Sequence, residues 1–192
     1  ILNDPQHRAY QAIRPGATVA LPWGRGVGLS WFTRFAWYAL VAEHDYRPRK
    51  EVSPPWPRGV RIVHVVPSAS TFREEQGDLI QSEAAHYWAP LGGKFNRTEM
   101  SIRFPGGSSV RIVGASQMLT LCGWRADAVT THDADALDVS RFDAMALGLL
   151  SEASSLRTVL LGGLPHAAPY GLLSRAAKDP RAFTIPATYR DV

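Results

Sequence analysis

Leu21-Pro22-Trp23-Gly24-Arg25-Gly26-Val27-Gly28-Leu29-Ser30 sets the terms on which the rest of the chain is understood. An apolar run at 18–23 enters a glycine-rich turn, and a helical pattern opens at about Ser30. Glycines at 24, 26 and 28 let successive backbone N–H groups point inward, and the new helix's N-terminus adds positive potential, so the turn suits a phosphate. Ser30 falls where a nucleotide-binding loop puts its Mg²⁺-ligating hydroxyl. The pattern G-x-x-x-x-G-K-[ST] is met in part. Trp23 stands in the place of the first glycine, and Leu29 stands where the phosphate-contacting lysine belongs. Leucine offers no donor to a phosphate, and Arg25 is the nearest cation that replaces it. The competing structural reading is a glycine turn that packs its helix tightly on the strand.

To either side of this turn, apolar β-branched stretches alternate with helical ones, which is an α/β order. A strand at 60–66 precedes a helix from about Ser70. Runs at 100–104 and 109–114 flank Pro105-Gly106-Gly107, the turn residues of a hairpin. A strand at 128–131, a helical stretch at 134–151, a strand at 157–161, a helix near 170–177 and a short strand around 182–185 complete a sheet of about six strands. Residues 46–59 place Arg47, Arg49, Lys50 and Arg58 among Pro48, Pro54, Pro55 and Pro57, an extended loop rather than a helix. It reads as a solvated connection, or as a contact surface for nucleic acid or a neighbouring subunit.

The 192 residues are 45% hydrophobic and 20% charged, the size of one domain with a full core, so 1–192 is expected to be a single unit. With 21 Lys+Arg against 17 Asp+Glu the net charge is +4, far from the excess of a histone-like binder. Cys122 is the one cysteine, which excludes an internal disulfide framework and a multi-cysteine zinc ribbon and fits a reducing compartment. No apolar run reaches a membrane span, and no signal peptide opens the chain, so an intracellular soluble protein is expected. It begins without Met, and is expected to be a piece of something longer.

The second chemical element is Arg125-Ala126-Asp127-Ala128-Val129-Thr130-Thr131-His132-Asp133-Ala134-Asp135, a short strand running into acids. In a phosphate-loop enzyme this strand lies beside the loop and ends in an Asp that holds Mg²⁺ and a Glu that orients water. His132 and Asp133 occupy that register. Histidine is a poor Mg²⁺ ligand, since magnesium prefers hard oxygen donors. A shift of one residue makes Asp133 the metal-side carboxylate and Asp135 a distant base; alternatively Asp133 caps the following helix. Val159-Leu160-Leu161-Gly162-Gly163-Leu164-Pro165 is a strand ending where a polar residue often senses the γ-phosphate, but here there is only glycine. Asp4-Pro5-Gln6 begins a helix ahead of the loop strand; Gln6 has the paired donor and acceptor to read an adenine edge, and the alternative is an ordinary helix start. Trp31, Phe32, Phe35, Trp37 and Tyr38 recur at helical spacing and read as core or interface rather than a base-stacking platform.

Taken in order, these pieces resemble the ATPase domain of the large terminase subunit, the motor that packages DNA into tailed-phage heads. Asp4-Pro5-Gln6 resembles its glutamine motif, and residues 22–30 are similar to its G-R-G-x-G-K-S loop. Residues 63–70 resemble its second strand and "P-[ST]" turn, and Ile102-Arg103-Phe104-Pro105-Gly106-Gly107-Ser108 its "I-x-F-x-N-G-S" hairpin. Residues 121–135 resemble "L-R-G-x-R-A-D" followed by "D-E-A-D", and 160–171 the coupling motif "G-T-P-x-x-x-x-G". The departures fall on the chemistry: Leu29 for lysine, Cys122 for arginine, His132 and Asp133 for "D-E", and Gly163 for the coupling threonine.

The resemblance implies a phosphate-loop fold, a mostly parallel sheet flanked by helices with a β-hairpin insertion. It implies ATP and Mg²⁺ as ligands and hydrolysis between neighbouring subunits of a homo-oligomeric ring. The partners implied are double-stranded DNA, a portal protein and a terminase small subunit, with no membrane. The setting implied is the host cytoplasm, docked at the procapsid portal. Gln6, Trp23, Gly24, Arg25, Gly26, Val27, Gly28, Leu29 and Ser30 would contact nucleotide, Ser30 and Asp133 metal, and Asp133, Arg25 and Arg125 would serve catalysis. The family's nuclease domain has no counterpart here. The substitutions raise a second expectation, a degenerate binding or assembly module that does not turn over ATP.

Overall fold

The computed structural model describes residues 2–23, 26–45, 59–86, 89–121, 124–150, 156–164 and 170–188. The segment 46–58, Gly24, Arg25, Cys122, Gly123 and 165–169 lie outside the described residues, and with them the Arg/Pro-rich loop, the centre of the glycine turn and part of the coupling-like motif. The chain opens with α1 (Asp4–Ala12), started by a capping box: the Asn3 side chain accepts from the Gln6 backbone N–H, and the Gln6 side chain accepts from that of Asn3. Then come β1 (Thr18–Pro22), α2 (Leu29–Asp45), β2 (Arg61–Val66), α3 (Ala69–His86), β3 (Lys94–Asn96), β4 (Ser101–Arg103) and β5 (Ser109–Gly114). They are followed by β6 (Ala128–Thr131), α4 (Val139–Leu149), β7 (Thr158–Gly163), α5 (Leu172–Lys178) and β8 (Ala182–Thr184), with short 3₁₀ turns between.

The strands form one eight-stranded sheet in the order β3-β4-β5-β2-β6-β7-β1-β8. From β5 to β8 every pairing is parallel, and β3 and β4 add an antiparallel edge. The expectation of a mostly parallel α/β sheet with a hairpin holds; the expected six strands become eight among the described residues. The expected stretch 134–151 divides: a 3₁₀ turn at Ala134–Ala136, then α4, whose start is capped by the Asp138 carboxylate accepting from the Arg141 N–H at 2.8 Å.

Both faces of the parallel region are covered, which is why its strands are apolar on both sides. On one face Val63, Val65, Val129 and Leu161 pack with Phe142, Met145 and Leu149 of α4 and Leu172 and Leu173 of α5. On the other, Ile62 and Val66 pack with Trp37 of α2 and Phe72 of α3, while Val19, Leu21 and Leu160 pack with Phe32 and Ala36 of α2 and Ala9 of α1. Of the aromatic cluster, Phe32, Trp37 and Tyr38 are fully buried, and Trp31, partly exposed, stacks on Phe35 at 5.5 Å. Phe32, Trp37 and Tyr38 are core, while Trp31 lies at the surface.

From β1 the chain crosses to β2, and from β7 it crosses the other way over β1 to β8. Connections leaving in opposite directions open a crevice at the carboxyl ends of neighbouring strands, where ligands bind in open α/β sheets. The glycine turn sits at this crevice.

Candidate nucleotide site

The turn is anchored on both sides before it curls. Trp23 donates its backbone N–H to the Gly163 carbonyl at 3.1 Å and its indole N–H to the Ile185 carbonyl at 2.7 Å. Its ring is buried against Phe32. The indole is therefore spent on the core. Val27 is also buried, and Gly26 and Gly28 hold φ of 87° and 81°, a backbone that L side chains rarely adopt. Gln6 fixes the far side: its Nε2 donates to the Val27 carbonyl at 3.1 Å, and a Cβ on Gly28 would stand 3.0 Å from that nitrogen. Gln6 is 6% exposed and its amide bonds the turn and its own helix cap, so in this arrangement it holds the loop rather than facing a base.

Leu29 opens α2 and leans on the strand tips: a Cβ on Gly162 would lie 2.9 Å from Leu29 Cδ1 and 3.1 Å from the Thr131 carbonyl. An apolar side chain thus fills the space beside β6 and β7 where an ammonium would serve a phosphate. Ser30 follows, half-buried in the first turn of α2.

Beyond β6, Asp133 adopts a left-handed conformation, φ 56° and ψ 54°, one that aspartate tolerates better than most residues. Its side chain makes no cap hydrogen bond, so the alternative of Asp133 as a helix cap does not hold. Its carboxylate, partly exposed, lies 3.8 Å from the His132 ring nitrogen, too long for a hydrogen bond. Gly163 brings this turn against the loop's anchor: a Cβ there would meet Ala134 N at 3.0 Å and Asp133 Cα at 3.2 Å, while its carbonyl takes the Trp23 N–H. Asp135, expected as a distant base, instead accepts the Leu173 N–H of α5 at 2.9 Å.

Behind the site lies a buried polar layer with no distinct signal in the sequence. Arg34 makes a two-pronged pair with Glu83, 2.7 and 2.9 Å, and reaches Gln76 at 2.8 Å. His64 on β2 lies 2.9 Å from Thr130 Oγ1, which also accepts the Trp37 indole N–H at 3.0 Å. Burial holds the His64 pKa well below 6.5, and the Arg34 charge, with that of His132 when it is protonated, acts the same way. Burial also lowers the His132 pKa, with nearby Asp133 pulling against it. The histidine in the metal register is thus neutral at neutral pH.

Arg125 is the largest displacement. It precedes β6, so the strand's length, about 13 Å at 3.3 Å per residue, separates it from the Asp133 end. It lines a cavity of about 580 Å³ with Arg61, Arg103, Arg111 and Trp124 at the amino ends of the strands. There the Arg111 guanidinium lies 3.9 Å over the Trp124 ring. Arg125 therefore stands at the end of β6 away from its own chain's glycine turn.

No protein-family model and no curated protein sequence matches the chain. Solved structures do match. The large terminase of a thermophilic bacteriophage, in complex with ADP, aligns with a TM-score of 0.68 at 11% identity, over 100% of this chain and 46% of that one. The large terminase ATPase domain of Thermus phage P74-26 aligns with a TM-score of 0.60 at 16% identity, over 93% of this chain and 79% of that one. The HK97 bacteriophage large terminase aligns with a TM-score of 0.65 at 14% identity, over 96% and 39%. The fold is that of the ATPase domain of phage large terminases. The chain spans about half the length of the ADP-bound terminase and most of the isolated P74-26 domain.

Proposed function

We propose that the chain is the motor ATPase domain of a viral DNA-packaging machine, binding ATP at the 24–30 turn and hydrolysing it to move double-stranded DNA into a procapsid. The observation that carries this is the contact, through Gly162 and Gly163, between the glycine turn and the Asp133 turn within a large-terminase fold. The reading places a phosphate-binding backbone and a free carboxylate at one crevice, which in-line attack on a γ-phosphate requires. Gly26, Val27 and Gly28 present backbone N–H groups to the phosphates, and Arg25 supplies charge. Gln6 holds the turn's curvature through Val27.

Mg²⁺ fits the donors on offer. Among the described residues no group of three His, Cys, Asp or Glu side chains could cage a metal. Magnesium needs few protein ligands, taking one or two hard oxygens plus phosphate oxygens and water. Ser30 and Asp133 would provide them, and the ion would neutralise charge on the β- and γ-phosphates. The Asp133 carboxylate, with no cap hydrogen bond, would also orient water; His132, neutral, adds no charge.

Arg125 takes a different part. With hydrolysis between neighbours of a ring, a cationic face at the opposite end of the sheet serves a neighbouring copy's phosphates. The partners proposed are DNA, a portal protein and a small subunit, in the host cytoplasm and at the portal. No helix among the described residues is long and apolar enough to cross a membrane.

A second reading is favoured by Leu29, whose packing on Gly162 leaves no cation in the lysine's place: a binding or assembly module that does not turn over ATP. Phosphate release at saturating ATP, with Asp133→Ala as control, separates the two. Turnover that Asp133→Ala abolishes supports the motor; nucleotide binding without turnover supports the module.

A further inference from the structure

Asp135 is partly buried at a junction that the chemistry above does not use. Its Oδ1 accepts the Leu173 N–H at 2.9 Å, and its Oδ2 is buried with no hydrogen-bond partner among the described residues. Gly171 meets the same carboxylate so closely that a Cβ there would overlap it. Leu173 also reaches Gly163: its Cδ1 would be 3.3 Å from a Cβ at that position. The 3₁₀ turn carrying Asp133 and Asp135 is thus clasped to α5 on one side and to β7 on the other. A Cβ at 163 would stand 3.0 Å from the Ala134 nitrogen, closer than side chains ordinarily pack, so glycine suits this junction.

We propose that Asp135 is a positioning residue: by bonding the start of α5 it fixes the left-handed Asp133 turn and carries changes at the glycine turn to α5. A half-satisfied buried carboxylate persists only where surrounding packing holds it. A small shift of the Asp133 turn must therefore either move α5 or break the Leu173 bond. From α5 the movement passes to α4 through the Arg175–Asp143 pair, 2.6 and 2.7 Å, and to β1 and β8, against which α5 packs.

The test is hydrogen exchange at 132–136 and 172–178 in the whole chain, with and without ATP and Mg²⁺, alongside calorimetric ATP binding. Only the ATP arm rests on nucleotide binding at the turn. Without nucleotide, Asp135→Ala should speed exchange about five- to tenfold in both segments, the loss expected for a buried cap. Asp135→Asn, which keeps an acceptor for Leu173, should restore it. With ATP bound, the native chain should show slowed exchange in both segments, and Asp135→Ala should lose the α5 response while keeping that at 132–136. Acceleration confined to α5 would make Asp135 a helix cap only and overturn the proposal, as would an unaltered α5 response in Asp135→Ala. If the native chain binds no ATP, the nucleotide reading fails and the nucleotide-free comparison still decides this one.

Discussion

Arg34 and Glu83 are 4% and 7% exposed, and each is the other's counter-charge. Removing one partner strands a buried charge, so Arg34→Ala or Glu83→Ala should cost about 3–5 kcal/mol in urea unfolding, far more than a surface change. The histidines behind the site give a pH dependence of definite sign. Both pKa values are lowered in the folded state, His64 strongly. The unfolded chain therefore binds more protons below about pH 6.5. Stability is fully present above that value and falls as pH drops through and below it; the thermal midpoint should decline from pH 7 to 5. A midpoint that rises on acidification over this range would contradict the burial of His64. At the site, Leu29→Lys would put an ammonium beside the strand tips and is expected to tighten ATP binding about tenfold, the worth of one charge-assisted hydrogen bond.

The capping box joins α1 to the glycine turn, since Gln6 belongs to both. Asn3→Ala should cost about 1 kcal/mol in unfolding and also loosen the turn, speeding exchange of amides at 26–28. The elements around the loop were legible because glycine, proline and β-branched residues mark their borders sharply, as in β1, β2 and the β4–β5 hairpin. β3 was not: three exposed or half-buried residues on an edge, Lys94, Phe95 and Asn96, carry too little alternation to be seen. Nor was the 3₁₀ turn before α4, where Ala134, Asp135 and Ala136 suit any helix and only the left-handed Asp133 breaks the pattern.

Across the whole molecule, the α/β class and the order of the motifs were readable, whereas distance was not. Arg125 and Asp133 stand eight positions apart in the chain and at opposite ends of β6. Periodicity does not reveal which strand end faces the crevice until the parallel register is known. Gln6 similarly matched a base-reading motif by position while its amide is taken up by Val27, a partner 21 residues on. The two-ended arrangement predicts that Arg125→Ala leaves ATP affinity of the isolated chain within about twofold while lowering any turnover that depends on protein concentration. Lost affinity in the isolated chain would return Arg125 to the loop's own site.

Calorimetric titration with ATP, in the presence and absence of Mg²⁺, bears most directly on the nucleotide site because binding needs no neighbouring subunit. The account predicts micromolar binding that weakens when Mg²⁺ is withheld and is lost in Gly28→Ala, whose Cβ would crowd Gln6 in a left-handed backbone. A folded native chain that takes up no ATP at millimolar concentration would contradict it.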